Sequence, residues 1–210
     1  MYNMVIFDLD GTLLDTSPGI YGSVRFAEQV LGLEPVDNSI LYQFAGPPPK
    51  EMYKKIYGLS EMSAMEAVNA HRKYGMEKAI YEASVYAGME DTLKMLRLNG
   101  MKLAVATLKQ QKIAESVLEN FHIYHYFDAI VGMDEAESLT KKETIEKVIE
   151  YMGGSNAVMV GDSEYDYIGA SAANVDFIGA LYGFGFHKNG SYSFKTILQP
   201  KDLLPLIITR

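Results

Sequence analysis

The chain has 210 residues, a formal net charge of −8 at neutral pH and no cysteine. This length is enough for one domain with its own hydrophobic core and a smaller insertion. The negative charge argues against a nucleic acid polymer as the main partner, because phosphate backbones bind basic surfaces. The absence of cysteine excludes disulfides and thiolate metal sites.

The sequence also predicts a soluble, cytoplasmic protein without a membrane segment. The N-terminal Met1-Tyr2-Asn3-Met4 lacks the basic region and long apolar run of a signal peptide. A membrane-spanning helix needs about 20 apolar residues, and the apolar runs of this chain are much shorter. The apolar residues 203–208 are therefore predicted to pack as a terminal element of the fold.

Short apolar runs recur along most of the chain, and runs of this kind are typical of strands buried on both faces. They lie at residues 4–7, 102–107, 128–132, 157–161 and, more weakly, 176–180. Helical patterns separate them, at residues 89–99, 111–121 and 141–152. The last of these has capping-box spacing at Thr140 and Glu143 and ends at Gly153-Gly154. Alternating strands and helices predict an α/β fold, a doubly wound and mostly parallel sheet covered on both sides.

Residues 16–84 interrupt this alternation, because they show helical signals and no strand pattern. Ser17 precedes a proline, as an N-cap residue often does, and Pro49 follows a turn and can begin a helix. Ser63 has capping-box spacing with Glu66. We therefore expect a helical cap at 16–84, inserted into a core formed by residues 1–15 and 85–210.

Acidic residues follow two of the predicted strands, at the sheet edge where ligands of open α/β sheets bind. Asp8 and Asp10 follow the first strand, and Asp162 and Asp166 follow the run at 157–161. Carboxylates so close together repel one another when ionised, and Mg²⁺ prefers such oxygen ligands together with phosphate. Any one of these aspartates could be an ordinary loop residue or N-cap, but together they indicate a metal site.

Two further positions suggest that an anion binds near these aspartates. Thr107 ends a predicted strand just before a helix, where it is either a simple N-cap or part of an anion site supported by the helix dipole. Lys141 and Lys142 lie in the first turn of a helix, where a cation opposes the dipole. They are either a solvated pair, or one of them neutralises a bound phosphate and the nearby carboxylates.

In order and spacing, these motifs resemble those of the haloacid dehalogenase-like hydrolase superfamily over nearly the whole chain. The similar segments, from the first motif to the fourth, are Asp8-Leu9-Asp10-Gly11-Thr12, Thr107, Lys141, and Gly161-Asp162 with Asp166. The resemblance implies an enzyme that hydrolyses phosphomonoesters through an aspartyl-phosphate.

The resemblance also implies a role for each matching residue. Asp8 would be the nucleophile, and Asp10 would protonate the leaving oxygen and then activate water. Thr107, Leu108 and Lys141 would hold the transferring phosphoryl group.

For the metal, the resemblance implies Mg²⁺ bound by Asp8, by Asp10 through its main-chain carbonyl, and by Asp162. Asp166 would support these ligands from outside the metal's own coordination shell. Covalent catalysis of this kind divides a difficult step into two easier ones.

The insertion resembles the α-helical cap type of the superfamily. Residues 44–48 and 179–185 are similar to a branch containing phosphoglycolate phosphatases and 5′-nucleotidases. The implied substrate is therefore a small phosphorylated metabolite, either phosphoglycolate or a nucleoside 5′-monophosphate. Gly46 and Lys50 are the candidate cap residues for contact with it. The third motif lacks the usual Lys-Pro pair, so Lys142 stays an alternative to Lys141. We prefer Lys141 because its register places Ile145 at the position that is usually apolar in the branch it resembles.

Two other functions stay open at this point. A sugar-phosphate mutase would use the same aspartyl-phosphate, and a receiver-like signalling domain would accept a phosphoryl group on Asp8. The histidines, His71 among them, show no metal-ligand spacing and are expected to be structural. Arg72 receives no functional role, and the sequence does not indicate an oligomeric state.

Overall fold

A six-stranded parallel sheet lies at the centre of the computed structural model, which describes residues 2–153 and 156–208. The strands of the described residues are β1 (Met4–Phe7), β2 (Leu14–Asp15), β3 (Ser84–Val85), β4 (Lys102–Gln110), β5 (Ala129–Met133), β6 (Ala157–Gly161), β7 (Asp176–Ala180) and β8 (Lys195–Ile197). In space the sheet runs β5-β4-β1-β6-β7-β8, and β2 pairs with β3 in a separate antiparallel ribbon.

Helices cover the sheet and form the insertion between β2 and β3. They are α1 (Ser17–Leu31), α2 (Asn38–Leu41), α3 (Pro49–Tyr57), α4 (Glu61–Glu77), α5 (Met89–Leu98), α6 (Gln111–Asn120), α7 (Lys141–Met152), α8 (Glu164–Ala172) and α9 (Leu204–Ile207). Short 3₁₀ turns lie at Tyr42–Phe44, Ala79–Tyr81, Tyr124–Tyr126 and Pro200–Leu203. No helix in the described part of the chain is long and apolar enough to cross a membrane.

The central strand β1 explains why the sheet is covered on both faces. Its residues are completely buried, and successive side chains point to opposite faces. Val5 and Phe7 belong to one hydrophobic cluster and Met4 and Ile6 to another, so one strand connects two cores. Because β1 lies between β4 and β6, the chain turns to opposite sides of it, and this switch point creates a crevice at the carboxyl ends.

The helices of residues 16–84 pack around a third hydrophobic cluster, which includes Ile20, Val24, Tyr53 and Val68. The β2–β3 ribbon pairs the chain entering this insertion with the chain leaving it. We propose on this basis that residues 16–84 form the cap and that the remainder forms the core.

Several predicted boundaries change in the structure. The strand expected at 102–107 extends to Gln110, because β4 leaves its regular register after Ala106 and pairs again only at Gln110. The short strands β2, β3 and β8 were not expected, since two or three residues carry too little periodicity to predict a strand. The predicted end of α7 is confirmed at Gly153, whereas Gly154 lies outside the described residues.

Two of the predicted helix starts in the cap are wrong. The N-cap of helix α4 is Ser60 and not Ser63, because the Ser60 hydroxyl accepts a hydrogen bond from the Ser63 N–H, so the helix begins at Glu61. Ser17 is already the first residue of α1, and Thr16 precedes it without a capping hydrogen bond. The Thr16 hydroxyl instead donates a hydrogen bond to Asp10, so it does not cap the helix.

The capping box at the start of α7 yields a stability prediction. The Thr140 hydroxyl accepts a hydrogen bond from the Glu143 N–H at 3.3 Å, and the Glu143 carboxylate accepts one from the Thr140 N–H at 2.7 Å. Thr140→Ala should therefore lower the free energy of unfolding by about 1 kcal/mol, measured by urea denaturation. Thr140→Ser keeps the hydroxyl and should stay near wild type; equal losses in both variants would contradict this role for the cap.

Candidate active site

Three buried aspartates meet at the carboxyl edge of the sheet. Asp8 follows β1, Asp162 follows β6, and Asp166 lies in the first turn of α8. One carboxylate oxygen of each lies within 4.8 Å of the others. Asp8 and Asp162 are far apart in the sequence and are brought together because β1 and β6 are neighbouring parallel strands.

A single buried ammonium group lies among these carboxylates. Lys141 Nζ is 2.5 Å from Asp8 Oδ1 and 2.6 Å from Asp166 Oδ1. The other oxygen of Asp166 accepts hydrogen bonds from the N–H and hydroxyl of Ser163, which closes a capping box at the start of α8. Lys142 instead forms an exposed pair with Glu146, so the structure brings Lys141, and not Lys142, to Asp8.

Backbone groups fix the third carboxylate, Asp162. Its Oδ2 accepts hydrogen bonds from the N–H groups of Phe184 at 2.6 Å and Gly185 at 3.3 Å, and its Oδ1 accepts one from the Thr12 hydroxyl at 3.3 Å. Gly11 permits this approach, because its φ is +78° and an added Cβ would lie 2.7 Å from the Asp162 carboxyl carbon. The loop at 183–185 thus contributes to the site through its main chain.

The electrostatics of this cluster favour the binding of a cation. Burial raises the pKa of Asp8 to about 7, against the lowering effect of Lys141. Burial also raises the pKa of Asp162, and the neighbouring Asp166 and Asp8 add to the shift. For Lys141, burial lowers the pKa, but the charges of Asp166 and Asp8 outweigh it and hold the pKa above its ordinary value. Three carboxylates around one ammonium leave an excess of negative charge, and an all-oxygen donor set suits a hard divalent ion.

Asp10 does not join the carboxylate cluster. Lys109 Nζ donates to its two oxygens at 2.9 and 3.0 Å, and the Thr16 hydroxyl donates to Oδ1 at 2.5 Å. The Asp8 carboxylate contacts Lys141 and the Asp10 carboxylate contacts Lys109, while the charge of Asp10 also contributes to the raised pKa of Asp8. The predicted metal contact of Asp10 is made by its main-chain carbonyl and stays a prediction.

Thr107 does not lie at the start of a helix, because α6 begins at Gln111. The predicted position of Thr107 at a helix N-terminus is therefore wrong. Thr107 lies in the irregular part of β4, and its hydroxyl accepts a hydrogen bond from the Lys109 N–H at 3.1 Å. Extra residues in a strand change where its side chains point. Here Thr107 is buried at the sheet edge, while Leu108 and Lys109 face a cavity under the cap.

This cavity, of about 70 Å³, separates the cap from the core. Gly46 lines it, as expected, and so does Asp10. Lys50 is not among the residues that line this cavity, and its ammonium group pairs with Glu61 at 3.0 Å within the cap. A substrate contact of Lys50 stays a prediction.

Residues that received no functional role from the sequence also line the cavity. One of them is His71, whose Nδ1 lies 3.2 Å from the Tyr53 hydroxyl. Burial lowers the pKa of His71 to about 3, with a further contribution from Lys109 and Arg72, so the imidazole is neutral. Arg72 Nη2 pairs with Glu137 Oε1 at 3.0 Å.

The sequence offered one usable signal for these residues. Lys109 stands two positions after Thr107, the last residue of the strand predicted at 102–107, so an extension of that strand would bring both to one site. His71, Arg72 and Glu137 belong to no motif, and only the packing of α4 against the loop after β5 reveals them.

The sequence profile of the family described as haloacid dehalogenase-like hydrolase matches residues 5–180. The chain belongs to this family. The predicted family, the α/β fold class and the assignment as an enzyme of the phosphatase type are thereby confirmed.

Individual relatives agree with the family but carry different names. A 5′-nucleotidase of Pseudomonas aeruginosa is 36% identical over 88% of this chain and 85% of its own length. A phosphoglycolate phosphatase of Aquifex aeolicus is 28% identical over 97% of this chain and 96% of its own length. The crystal structure of a "predicted phosphatase" from Clostridium acetobutylicum has a TM-score of 0.91 and 37% identity, covering 99% of this chain and 98% of that chain.

The buried carboxylates lead to a prediction about divalent metal. Adding MgCl₂ to protein treated with EDTA should raise the melting temperature, by about 5 °C or more at a hundredfold excess over Kd. Asp162→Asn should lose this response, yet melt at or above wild type without metal, since one repelling charge is gone. Glu150→Gln changes an exposed carboxylate and is the matched control. An unchanged response in Asp162→Asn would contradict a metal site at Asp162.

Proposed function

We propose that this protein is a Mg²⁺-dependent phosphatase that hydrolyses a small phosphomonoester through a phosphorylated Asp8. The observation that carries the proposal is the contact of the Asp8 carboxylate with the buried ammonium group of Lys141 at 2.5 Å, inside a cluster of three aspartates. A carboxylate held in this way is oriented for attack, and the adjacent cation attracts the oxygens of a phosphoryl group.

In the first step, one Asp8 oxygen forms a bond to phosphorus while the bond from phosphorus to the leaving oxygen breaks. Asp10 donates the proton that the leaving oxygen needs, and the alcohol departs. In the second step, Asp10 takes a proton from water, which attacks the aspartyl-phosphate and releases inorganic phosphate and free Asp8. Thr16 and Lys109 support this role, because their hydrogen bonds fix the Asp10 carboxylate at the cavity wall.

The remaining groups would hold the phosphoryl group and the metal. Lys141, the Thr107 hydroxyl and the Leu108 N–H would bind the phosphoryl oxygens. Asp8, Asp162 and the Asp10 carbonyl would hold Mg²⁺, with Asp166 fixed by Ser163 behind them. When bound, the ion supplies positive charge that stabilises the negative oxygens of the transition state.

The cavity supports a small substrate. Pockets for drug-sized ligands measure about 300–1,000 Å³, and this one has about 70 Å³. The names of two relatives support phosphoglycolate and nucleoside 5′-monophosphates as candidate substrates, and by size alone the smaller would fit this cavity more easily. Closure of the cap would also keep bulk water from the aspartyl-phosphate.

The nucleophile is tested by Asp8→Asn, assayed with p-nitrophenyl phosphate in MgCl₂. Turnover should fall by about 1,000-fold or more, because the amide cannot form the covalent intermediate. Wild-type protein treated with hydroxylamine during turnover should accumulate a hydroxamate at Asp8, seen by mass spectrometry. Activity near wild type in Asp8→Asn would sink the mechanism, and a stable phosphoryl group on Asp8 without phosphate release would favour a receiver-like role.

The adjacent lysines provide a matched pair of variants. Lys141→Ala should lower kcat/KM by about 100-fold or more, because it removes the charge that faces Asp8. Lys142→Ala should change kcat/KM by no more than about twofold, since its partner Glu146 is solvent-exposed and such pairs contribute little. Comparable losses in both variants would show that the exposed lysine matters and that the assignment to Lys141 is wrong.

A further inference from the structure

One ion pair joins the cap to the core in the part of the chain that the structure describes. Arg72 on α4 pairs with Glu137, in the loop after β5, at 3.0 Å. The other ion pairs among the described residues lie within the cap or within the core. The side chains of Arg72 and Glu137 are only 14% and 4% exposed, so water and salt screen this pair much less than a surface pair.

The guanidinium group of Arg72 contacts this loop at more than one point. Its Nη1 donates a hydrogen bond to the main-chain oxygen of Glu135 at 2.7 Å, and its Nη2 donates to that of Asp134 at 3.4 Å and to Glu137 Oε1 at 3.0 Å. A planar guanidinium can reach several acceptors in this way, whereas a lysine ammonium is a compact point charge. Arg72 therefore contacts the main chain of the loop in addition to one side chain.

Two helices of the cap contact the carboxylate of Glu137. Besides Arg72 on α4, the main-chain N–H of Lys50, in the first turn of α3, donates a hydrogen bond to it. Burial raises the pKa of Glu137, and Arg72 and this hydrogen bond counteract the rise. The backbone of Glu137 has a φ of +52°, which is uncommon for a residue other than glycine and persists where surrounding contacts fix it. Two cap helices and the core thus meet at one buried carboxylate.

These contacts lie outside the covalent connection between the cap and the core. The chain passes from one to the other at the β2–β3 ribbon, so a rotation of the cap about this ribbon would open the cavity unless contacts elsewhere oppose it. Arg72 and Glu137 both line the cavity, where they are placed to oppose such a rotation. A further hydrogen bond between cap and core, from the Tyr165 hydroxyl to Glu51 at 3.0 Å, is exposed to water, which weakens its effect.

We infer that Arg72 is a positioning residue: through Glu137 and the loop at 134–137 it holds the cap over the cavity and thereby restricts the substrate to a small leaving group. With these contacts in place, the cavity that Asp10 lines measures about 70 Å³. A bulky leaving group needs more space, so the cap has to move away from the loop and break the contacts of Arg72. This inference rests on the proposed phosphatase function and names the contact that sets its size selection.

Esters of different size provide the test. The small ester is phosphoglycolate or 2-hydroxyethyl phosphate, whichever the wild-type protein cleaves faster, and the bulky ester is p-nitrophenyl phosphate. In Arg72→Gln, kcat/KM for the small ester should fall by about tenfold or more, because the cap no longer stays closed over it. For p-nitrophenyl phosphate it should stay within about threefold of wild type, since this ester reacts with the cap displaced. The ratio of the two values is the measured quantity.

Further variants separate this role from general damage to α4. Lys73→Gln changes the exposed neighbour of Arg72 and should leave the ratio within about twofold of wild type. Glu137→Gln should lower the ratio as Arg72→Gln does, and the double variant should lower it by no more than about a further twofold, because both residues act through one contact. Arg72→Lys keeps the charge but loses the bonds to the main chain of the loop, so its ratio should lie between wild type and Arg72→Gln.

The position of the cap can also be measured without a substrate, because the chain has no cysteine of its own. Met62→Cys on α4 and Tyr151→Cys on α7 replace exposed residues of the cap and the core and would carry a donor and an acceptor dye. In single-molecule energy transfer, Arg72→Gln should lengthen or broaden the distribution of dye distances, and Lys73→Gln should not.

Each outcome decides the inference. Equal losses for both esters in Arg72→Gln would indicate a merely structural role and overturn it, and so would unchanged dye distances. Wild-type protein that cleaves p-nitrophenyl phosphate but neither small ester contradicts the size selection, while the phosphatase function stands. If Arg72→Gln does not fold, Glu137→Gln and Arg72→Lys decide by the same ratio. Failure to cleave any of the three esters in MgCl₂ refutes the phosphatase function and the size selection with it, whereas the dye distances show separately whether Arg72 holds the cap.

Discussion

The contact between the Lys141 ammonium group and the carboxylates of Asp8 and Asp166 determines how the core is built at its carboxyl edge. All three side chains are buried, and burying charged groups costs free energy unless good geometry and additional hydrogen bonds compensate for the loss of water. The compensation is visible in the neighbouring elements. Asp166 is held by the capping box of α8, and Lys141 is fixed by the capping box that starts α7. The first turns of these two helices therefore orient charged side chains of the site, in addition to providing hydrogen bonds to free backbone N–H groups.

The same edge of the sheet explains why the loop at 183–185 belongs to the site. Asp162 carries no direct pair with Lys141, so main-chain N–H groups of this loop and the Thr12 hydroxyl provide its hydrogen bonds. These bonds require close approach of two backbones, and Gly11 allows it. A carboxylate oriented by neutral donors keeps its charge uncompensated, which is the condition for attracting a divalent ion.

Much of this arrangement could be predicted from the sequence. A short apolar run followed by Asp8 predicts a buried strand with a carboxylate at its end, and the position of Lys141 in a first helical turn signals an anion nearby. Such patterns are local, and the parallel sheet brings their ends together. Lys109 and Glu137 could not be predicted in the same way. Lys109 reaches Asp10 because β4 departs from its register, and Glu137 meets Arg72 because the cap packs on the loop after β5. Neither of these two contacts corresponds to a periodic pattern in the sequence.

The carboxylate cluster and the cavity lining differ in their net charge, and we infer that the first acts on phosphorus while the second selects the leaving group. On the core side, Asp8, Asp162 and Asp166 outnumber Lys141, so the balance is completed by a metal ion together with a phosphoryl group. In the cavity beneath the cap, each cation of the lining already faces a carboxylate. Substitutions of cap residues in this lining, such as Arg72, would therefore change which leaving group is accepted without removing a charge that acts on phosphorus. A family that keeps the first set of residues and varies the second can act on different esters by one mechanism, as the names of a 5′-nucleotidase and a phosphoglycolate phosphatase among the relatives illustrate.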